Sequence, residues 1–474
     1  MAVIMLCVRG QRVLSLKRAV LALSIAFPIV ACSRITLTPT LTPQGKTVTV
    51  NGKATYQTIS GWGASTGYNE QNNNLNAAQA DCFFSTSNGS CATGSSIGLE
   101  WIRIQDNATP NSAPDLPTLQ LAVARGAQVL LGFNGPPLDS GSYAGQASYM
   151  VGKIQYFQSN GVPISYIAVI NEPQDTGTTA AAIDTFVASY LHPALVSAGL
   201  TSIQITLPES ADWFVTDYVT PCMEDANCTS YISAVSGHEG FYGQGSEGAD
   251  GFAGGWGCCV DFAAVPVPSS AAGKPVWQTE ISGGASGPCS VDSYLANFDS
   301  SMTPDAITWA YNIHMFLTEV SGSAWFYWNL TAETVNGPTA CNDGLTDQSN
   351  DPTKRFYVIG NWSRFVRSGW VEIAATANPQ SGVYVTAFMN QPNGAFAIVA
   401  INQNTSSISQ IFTLSGLSTS SLTPWITSSS LNLIPQSTVS VIGSNFTYTL
   451  PAQSVTTFVS PGGSSPASSS RPAS

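Results

Sequence analysis

The sequence predicts an α/β protein, a (β/α)8 TIM barrel with an associated C-terminal β-sandwich. Eight strand-like apolar runs alternate with helix-like stretches between residues 57 and 330, which is the repeat of such a barrel. Beyond residue 367 the apolar runs become short, and Ser, Asn, Gly and Pro separate them without any helical period. This second pattern is typical of a β-sandwich.

Each predicted barrel strand is a short run rich in β-branched and aromatic residues. Helix-like segments, for example 116–126, 149–161 and 181–199, lie between several of these runs. The strands of a barrel are parallel, so their C-terminal ends meet at one mouth, where active sites lie. The eight predicted strands cover residues 57–65, 99–106, 128–135, 164–172, 202–210, 234–243, 275–282 and 323–330.

Changes in composition along the chain predict the domain limits. We predict a barrel over 56–367, a β-sandwich over 368–460 and a low-complexity tail over 461–474, which is rich in Ser, Pro and Gly. Residues 32–55 form a Thr/Pro-rich spacer that ends in a short strand, 46–50. We expect this strand to join the sandwich and to hold the small domain against the barrel.

Residues 1–31 have the composition of an export signal. A basic region that ends at Arg18 precedes an apolar run over 19–31, which is too short to span a bilayer as a helix. The following Cys32 completes a sequence that resembles a bacterial lipoprotein signal, in which this cysteine is lipidated; an ordinary signal cleaved nearby is the alternative. We therefore expect an exported protein, either secreted or held at the outer envelope, whose only membrane contact is a lipid on Cys32.

The cysteines agree with an oxidising compartment. The chain has ten, and eight remain outside the signal and its possible lipidation site, an even number that suits disulfides. Short spacings predict the pairs Cys82–Cys91 and Cys222–Cys228. No CxxC pair occurs and the three histidines are scattered, which argues against a metal site. We expect neither a metal nor an organic cofactor. The pairing of the remaining four stays open: Cys258, Cys259, Cys289 and Cys341.

The overall charge and composition limit the kinds of partner. The net charge is −12 and the pI is about 4.5, which excludes nucleic acid as a partner, since phosphates need a basic face. Charged residues make up 9% of the chain, against roughly 25% in an average domain. Neutral hydrogen-bonding residues replace them, as is common in secreted proteins that act on polysaccharides. We expect a monomer with a polysaccharide substrate.

Two glutamates, Glu172 and Glu280, stand at the ends of the fourth and seventh predicted strands. These strands lie on opposite sides of the mouth of a barrel, so the two carboxyl groups face each other across it. Such a pair can cleave a glycosidic bond, because one carboxyl protonates the leaving oxygen while the other attacks the sugar or activates water. The alternative is two surface acids on the rim of the barrel.

These residues and the C-terminal half resemble a known family. The tripeptide Asn-Glu-Pro at 171–173 and the pair Thr-Glu at 279–280 resemble the clan A retaining glycoside hydrolases. The stretches 354–370, 425–433 and 450–459 are similar to the barrel exit and side sandwich of the bacterial endo-xylanases of glycoside hydrolase family 30. The resemblance covers nearly the whole mature chain and implies a retaining β-glycosidase.

The resemblance also implies roles for individual residues. Glu172 is the implied general acid/base, which needs a raised pKa, and Glu280 is the implied nucleophile, which must stay ionised. Asn171 in such enzymes hydrogen-bonds the sugar hydroxyl next to the reacting carbon. Arg103 and Tyr242 are expected to support Glu280, the former by its charge and the latter by a hydrogen bond.

Further side chains are candidates for the walls and floor of the cleft. Trp328 aligns with the tryptophan that forms the floor in the family, and Trp62 and Phe133 are additional floor candidates with core packing as the alternative. Glu209 matches a family position near the site, where we expect it to support the catalytic pair or to bind substrate. His238 lies where the family has a histidine close to the pair, and a purely structural role is the alternative.

The loops after the seventh and eighth strands depart from the family pattern. Family xylanases that require glucuronic acid side groups use an arginine there, whereas 282–294 and 331–351 contain neither Arg nor Lys, and the second loop carries four acidic residues. A carboxylate on the substrate would be repelled. We therefore expect an endo-β-1,4-xylanase without strict glucuronate dependence. The alternatives are a β-1,6-glucanase, a galactanase or a glucosylceramidase-like member of the family, and a carbohydrate-binding protein without activity.

Overall fold

The computed structural model of the protein describes residues 46–67, 74–87, 91, 93–106, 112–135, 138, 141–211, 218–238, 273–281, 306–331, 344–346 and 351–462. Within these segments, strands β2 to β9 form a closed barrel in chain order, in which each strand is parallel to the next and the last pairs with the first. This confirms the predicted barrel. The strands up to this point are β1 (Thr47–Thr58), β2 (Gly61–Ser65), β3 (Trp101–Asp106), β4 (Gln128–Phe133), β5 (Tyr166–Ala168), β6 (Gln204–Ser210), β7 (Ile232–His238), β8 (Val276–Glu280) and β9 (Gly322–Tyr327).

Helices between the strands cover the outside of the barrel. The helix Tyr143–Ser159 begins at Ser142, whose Oγ accepts the Gly145 N–H, a typical N-cap. Its residues Ile154 and Phe157 are buried, and their spacing places them on one helix face, which packs against the barrel. The described helices are Ala77–Phe84, Leu116–Val123, Tyr143–Ser159, Pro173–Thr176, Ala180–Phe186, the π-helix Val187–Leu191, His192–Ser197, Thr220–Glu224, Ala226–Tyr231, Ile307–Glu319 and Lys354–Ser363.

Aromatic side chains close the lower part of the barrel interior. The ring centroids of Tyr166 and Trp277 lie 4.7 Å apart, and those of Trp101 and Trp277 lie 5.4 Å apart. Side chains along a strand alternate between its two faces. The residue two positions after Trp101 is Arg103, which therefore points into the same interior, nearer to the mouth. The aromatic layer thus supports the polar side chains above it.

The C-terminal part forms a β-sandwich, as predicted. From one edge to the other, one continuous sheet contains β17 (Asn432–Pro435), β16 (Ser421–Thr427), β20 (Ser454–Val459), β14 (Phe396–Asn402), β13 (Val383–Met389), β12 (Val371–Ala375), β1, β15 (Ile408–Ser415) and β19 (Asn445–Leu450). Phe458 on β20 contacts Phe412 on β15 and Phe446 on β19, with ring centroids 5.2 and 5.1 Å apart, so the sheet folds over a single apolar core. The remaining described strands are β10 (Asn329–Thr331), β11 (Gly344–Thr346) and β18 (Val439–Ser440).

Strand β1 belongs to the sandwich although it precedes the barrel in sequence. It pairs antiparallel with β12 and parallel with β15. It is longer than the predicted strand 46–50 and reaches Thr58, so the first barrel strand, predicted from Gln57, begins only at Gly61. Gln57 and Thr58 are therefore residues of the sandwich sheet.

The two predicted disulfides, Cys82–Cys91 and Cys222–Cys228, are present. The other four cysteines of the predicted mature chain lie outside the described residues, as do the signal segment 1–31 and Cys32. Among the described helices, none combines the length and the apolar character that crossing a membrane requires.

A buried carboxyl group lies at the junction of the barrel and the sandwich. Gln57 Nε2 donates to Glu372 Oε2 at 2.6 Å and to the carbonyl oxygens of Leu317 and Gly322, both at 3.1 Å. Glu372 is 5% exposed. Burial raises its pKa from 4.5 to about 8, although the hydrogen bond from Gln57 opposes this rise. Glu372 therefore stays neutral in the folded protein at pH 7.

Glu372 should make the stability of the protein fall as the pH rises. In the unfolded chain Glu372 ionises near pH 4.5, but in the folded protein only near pH 8, so stability is lost progressively between these two values. We expect Glu372→Gln to raise the melting temperature relative to the wild type by several degrees at pH 8.5, because a pKa rise of this size corresponds to a few kcal/mol of lost stability. At pH 4 the difference should vanish. The measurement is thermal unfolding across this range.

The exposed Glu319→Gln at the end of the helix Ile307–Glu319 is the matched control, because it removes the same charge without burial. A melting-temperature difference for Glu372→Gln that does not change with pH would contradict a buried, neutral Glu372.

Candidate active site

Six of the predicted site residues lie together at the C-terminal ends of the barrel strands. They come from five different strands or from the turns that directly follow them, so closure of the barrel brings them together. Five of the six are buried, and Glu172 keeps part of its side chain accessible. The six are Arg103, Asn171, Glu172, Glu209, His238 and Glu280.

Arg103, which is fully buried, is the centre of this cluster. Its Nη1 donates to Glu280 Oε2 at 2.8 Å, and its Nη2 donates to Asn171 Oδ1 at 2.9 Å and to Glu209 Oε2 at 3.1 Å. The Trp328 ring covers the guanidinium, with its centroid 5.6 Å from Cζ, an arrangement that favours the cation. The planar, permanently charged guanidinium thus fixes several acceptors at once.

His238 joins the three carboxylates of the cluster. Its Nδ1 lies 3.0 Å from Glu172 Oε1 and 3.5 Å from Glu280 Oε2, and its Nε2 lies 3.2 Å from Glu209 Oε2. Burial opposes a charge on the imidazole, but Glu280, Glu172 and Glu209 outweigh it and raise the pKa of His238 to about 10. His238 is therefore an imidazolium at neutral pH, and both of its ring N–H groups donate.

Glu172 and Glu209 both adopt the left-handed backbone region, with φ of 47° and 56°. This conformation costs a residue other than glycine on the order of 1–3 kcal/mol and persists where surrounding contacts enforce it, often at functional sites. The contacts are present here. The Glu172 N–H donates to the Glu209 carbonyl oxygen at 2.9 Å, and the Thr279 hydroxyl donates to Glu209 Oε1 at 2.7 Å. Glu209 therefore holds the backbone of Glu172 as well as Arg103 and His238.

The carboxyl groups of Glu172 and Glu280 are close to each other. A carboxylate oxygen of each, together with a ring nitrogen of His238, lies within 4.8 Å of the others. Retaining glycosidases hold their two carboxyl groups about 5–5.5 Å apart, whereas inverting enzymes keep about 6.5–9.5 Å to admit a water molecule. An approach of two carboxylate oxygens to within 4.8 Å is nearer to the retaining arrangement than to the inverting one.

The cluster contains three carboxylates and two cations, His238 and Arg103. Burial and the two cations shift the pKa values of the carboxylates in different directions. Burial disfavours the charge on Glu209, but His238 and Arg103 outweigh it and lower its pKa to about 2. In the same way they outweigh burial at Glu172 and lower its pKa. At Glu280, burial prevails over His238 and Arg103 and raises the pKa.

The expectation of a raised pKa at Glu172 is therefore wrong for the free protein. The reason is the imidazolium of His238, whose Nδ1 contacts Glu172 directly. At neutral pH the proton shared by this pair therefore lies on His238, one hydrogen bond away from Glu172.

Of the predicted floor aromatics, only Trp328 lies at the cluster. Trp62 is 1% exposed, donates its indole N–H to the Val366 carbonyl oxygen at 2.8 Å and packs against Trp362. Phe133 is 2% exposed and packs against Tyr149 of the surrounding helix layer. The floor prediction for Trp62 and Phe133 is wrong because strand alternation turns both side chains outward, away from the barrel interior.

Two further polar residues belong to the site but were not predicted from the sequence. Gln105 Nε2 donates to Asn171 Oδ1 at 2.8 Å and approaches Glu280 Oε2 at 3.4 Å. Asn134 Nδ2 in turn donates to Gln105 Oε1 at 3.1 Å. The spacing offered a signal for Gln105, because it lies two residues after Arg103 and so on the same face of the strand.

Some of the predicted residues and loops lie outside the described part of the chain. Tyr242 lies outside the described residues, as does the loop 282–294. The same holds for most of the loop 331–351, in which only 331, 344–346 and 351 are described.

Two carboxylates lie close together at the mouth of a (β/α)8 barrel, beside a guanidinium and an imidazolium. This is the arrangement that cleaves glycosidic bonds, so by class the protein is a glycoside hydrolase. Residues 369–458 match the model of the glycosyl hydrolase family 30 β-sandwich domain. Over 442 residues the chain is 30% identical to glucuronoxylanase XynC of Bacillus subtilis (strain 168), covering 87% of this chain and 91% of that protein. The chain belongs to glycoside hydrolase family 30.

Solved structures agree with this assignment. The glycoside hydrolase family 30 subfamily 8 xylanase Xyn30A from Clostridium acetobutylicum aligns with a TM-score of 0.69 and 26% identity, covering 88% of this chain and 99% of that one. A family 30 endoxylanase from Clostridium papyrosolvens C71 aligns with a TM-score of 0.68 and 25% identity, covering 87% and 99%.

Proposed function

We propose that the protein is a retaining endo-β-1,4-xylanase in which Glu172 is the general acid/base and Glu280 is the nucleophile. The observation that carries the proposal is the approach of their carboxylate oxygens to within 4.8 Å at the barrel mouth. The names of the similar proteins, a glucuronoxylanase and two xylanases, support xylan as the substrate.

In the first step Glu280 attacks the anomeric carbon of the sugar. Arg103 holds Oε2 of this carboxylate, so we assign the attack to Oε1. The new bond joins Oε1 to the anomeric carbon, and the bond from that carbon to the leaving oxygen breaks. Burial raises the pKa of Glu280, whereas Arg103 and His238 stabilise the ionised form that attacks.

Glu172 supplies the proton that the leaving oxygen needs. Its side chain is 26% exposed in the free protein, and a bound polysaccharide removes this remaining water, which favours the neutral carboxyl. The proton then crosses the 3.0 Å hydrogen bond from His238 Nδ1 to Glu172 Oε1 and passes on to the leaving oxygen. The acid is in this sense the pair of Glu172 and His238.

The second step reverses the roles. Once Glu280 is esterified it carries no charge, and Glu172, now a carboxylate, takes a proton from an incoming water molecule. This proton returns to His238 Nδ1 across the same hydrogen bond, which restores the starting state. The water oxygen bonds to the anomeric carbon, the bond to Glu280 Oε1 breaks, and the sugar keeps its original configuration. Trp328 lies beside the reacting groups, where its ring offers an apolar surface to the C–H face of a sugar.

The substrate preference is tested with a panel of polysaccharides. We expect release of short oligosaccharides from unsubstituted xylan and from glucuronoxylan at rates within about tenfold of each other, because the loops 282–294 and 331–351 contain no cation to bind a glucuronate. Oligosaccharide products are measured by chromatography. Activity on β-1,6-glucan or galactan with none on any xylan would overturn the xylanase proposal, and strict dependence on glucuronate would overturn the role given to the loops.

We also propose that the protein is exported by residues 1–31, with lipidation of Cys32 as the point of attachment to the envelope. The two disulfides support an oxidising compartment. For the domain limits we propose a barrel over 59–367, and a sandwich formed by 368–460 together with β1, which corrects the predicted barrel start at 56. The mass of the mature N-terminus, with or without a diacylglyceryl group on Cys32, tests the export proposal.

A further inference from the structure

The carboxamide of Asn171 is held in one orientation. Its Oδ1 accepts two hydrogen bonds, from Arg103 Nη2 at 2.9 Å and from Gln105 Nε2 at 2.8 Å. A carboxamide turned by 180° would place its own N–H2 group against these two donors, so both hydrogen bonds would be lost and donors would face donors. Within the described residues, Asn171 Nδ2 has no hydrogen-bond acceptor.

Gln105 is itself held in one orientation. Asn134 Nδ2 donates to Gln105 Oε1 at 3.1 Å, which leaves Nε2 as the end of the side chain that faces Asn171. Gln105 is 8% exposed, so its amide groups have little water to replace these partners. A chain of directed hydrogen bonds thus runs from the turn after β4 through Gln105 to Asn171.

We propose that Gln105 is a positioning residue for glycoside hydrolysis, which fixes the Asn171 carboxamide with its N–H2 group toward the sugar hydroxyl next to the reacting carbon. The inference rests on the proposed function. Hydrogen bonds to this hydroxyl strengthen in the transition state of glycosidases. A donor that is already aimed at it needs no reorganisation during the reaction.

Arg103 alone does not set this geometry. Its Nη2 divides its hydrogen bonds between Asn171 Oδ1 and Glu209 Oε2, so Gln105 Nε2 supplies the second donor that makes the turned carboxamide unfavourable. Gln105 Nε2 also approaches Glu280 Oε2 at 3.4 Å. This contact is longer than the 2.8 Å hydrogen bond to Asn171, so the main effect of Gln105 falls on Asn171.

The test compares Gln105→Met with the wild type on two substrates. Methionine keeps the length of the side chain and removes its hydrogen-bond donors. One substrate is an aryl β-xylobioside, and the other is its analogue without the 2-hydroxyl on the sugar that reacts. We expect kcat/KM for the first to fall about 10–100-fold, mostly in kcat. For the 2-deoxy analogue the variant and the wild type should agree within about twofold. Gln158→Met on the exposed face of the helix Tyr143–Ser159 is the matched control.

A purely structural role of Gln105 predicts an equal loss of kcat/KM on both substrates, and that result would overturn the proposal. An unchanged kcat/KM on both substrates would overturn it as well. If Gln105→Met does not fold, Asn134→Ala serves instead, since it frees Gln105 and should show the same dependence on the 2-hydroxyl with a smaller loss. A wild-type protein that cleaves no β-glycoside would reject the proposed function, and this inference with it. An active wild type with an unaffected variant would reject the inference alone.

Discussion

Glu280→Gln is expected to lose about 10⁴-fold or more of the hydrolytic activity, while xylo-oligosaccharides still bind. The amide has nearly the shape of the carboxylate, but it cannot form the ester with the sugar, and effects of this size are typical when a nucleophile is removed. Arg103 keeps acceptors in Glu209 Oε2 and Asn171 Oδ1, so the fold of the site should persist. The measurement pairs initial rates on xylan with calorimetric binding of xylo-oligosaccharides.

The exposed Glu319→Gln again provides the control, since it removes a carboxylate away from the site. Activity of Glu280→Gln close to that of the wild type would show that Glu280 is not the nucleophile. Loss of binding together with activity would instead show that the substitution disrupts the cleft.

Glu172→Ala is expected to lose activity in a way that depends on the leaving group. A general acid contributes about 10²–10⁴-fold, and a poor leaving group such as a xylose hydroxyl needs all of it. An aryl glycoside with an acidic phenol needs almost none for its first step, so the glycosyl-enzyme should accumulate in a burst. The measurement is the ratio of kcat/KM values for the two kinds of substrate.

Added azide distinguishes an acid/base role of Glu172 from a purely structural one. With Glu172 removed, no base activates water, but azide attacks without a base, and we expect faster turnover with formation of the β-glycosyl azide. The same azide should not produce the β-glycosyl azide from Glu280→Gln. Equal losses on both substrates without an effect of azide would contradict the acid/base role of Glu172.

The sequence was sufficient to predict the barrel, the sandwich and six polar residues that converge at the mouth, but not Gln105 or Asn134. The order of the strands predicts that Glu172 and Glu280 face each other across the mouth. The resemblance to the family implies Arg103 beside them, and the alternation of side chains along β3 turns it into the barrel interior. The same rule explains the errors at Trp62 and Phe133. Their residue type and their place near a strand end predict both as floor residues, but their positions along the strands put both side chains on the outward face.

The electrostatics of the site could not be predicted from residue types. The pKa of Glu172 depends on which nitrogen of His238 it meets and on the other carboxylates that hold the imidazole charged. These are contacts between strands far apart in the sequence. Gln105 was missed for a related reason, because a neutral amide carries no chemical signature until its partner Asn171 is placed beside it.

The direct test of the catalytic assignment is to trap the covalent intermediate. A xylobioside with fluorine in place of the 2-hydroxyl of the reacting sugar and a good leaving group forms the glycosyl-enzyme but slows its hydrolysis. We expect the intact mass to rise by one 2-deoxy-2-fluoroxylobiosyl group, and peptide mapping to place that group on Glu280, in the peptide that contains Val276–Glu280. A label on any other residue, or an unlabelled enzyme that releases products of inverted configuration, would contradict a retaining mechanism through Glu280.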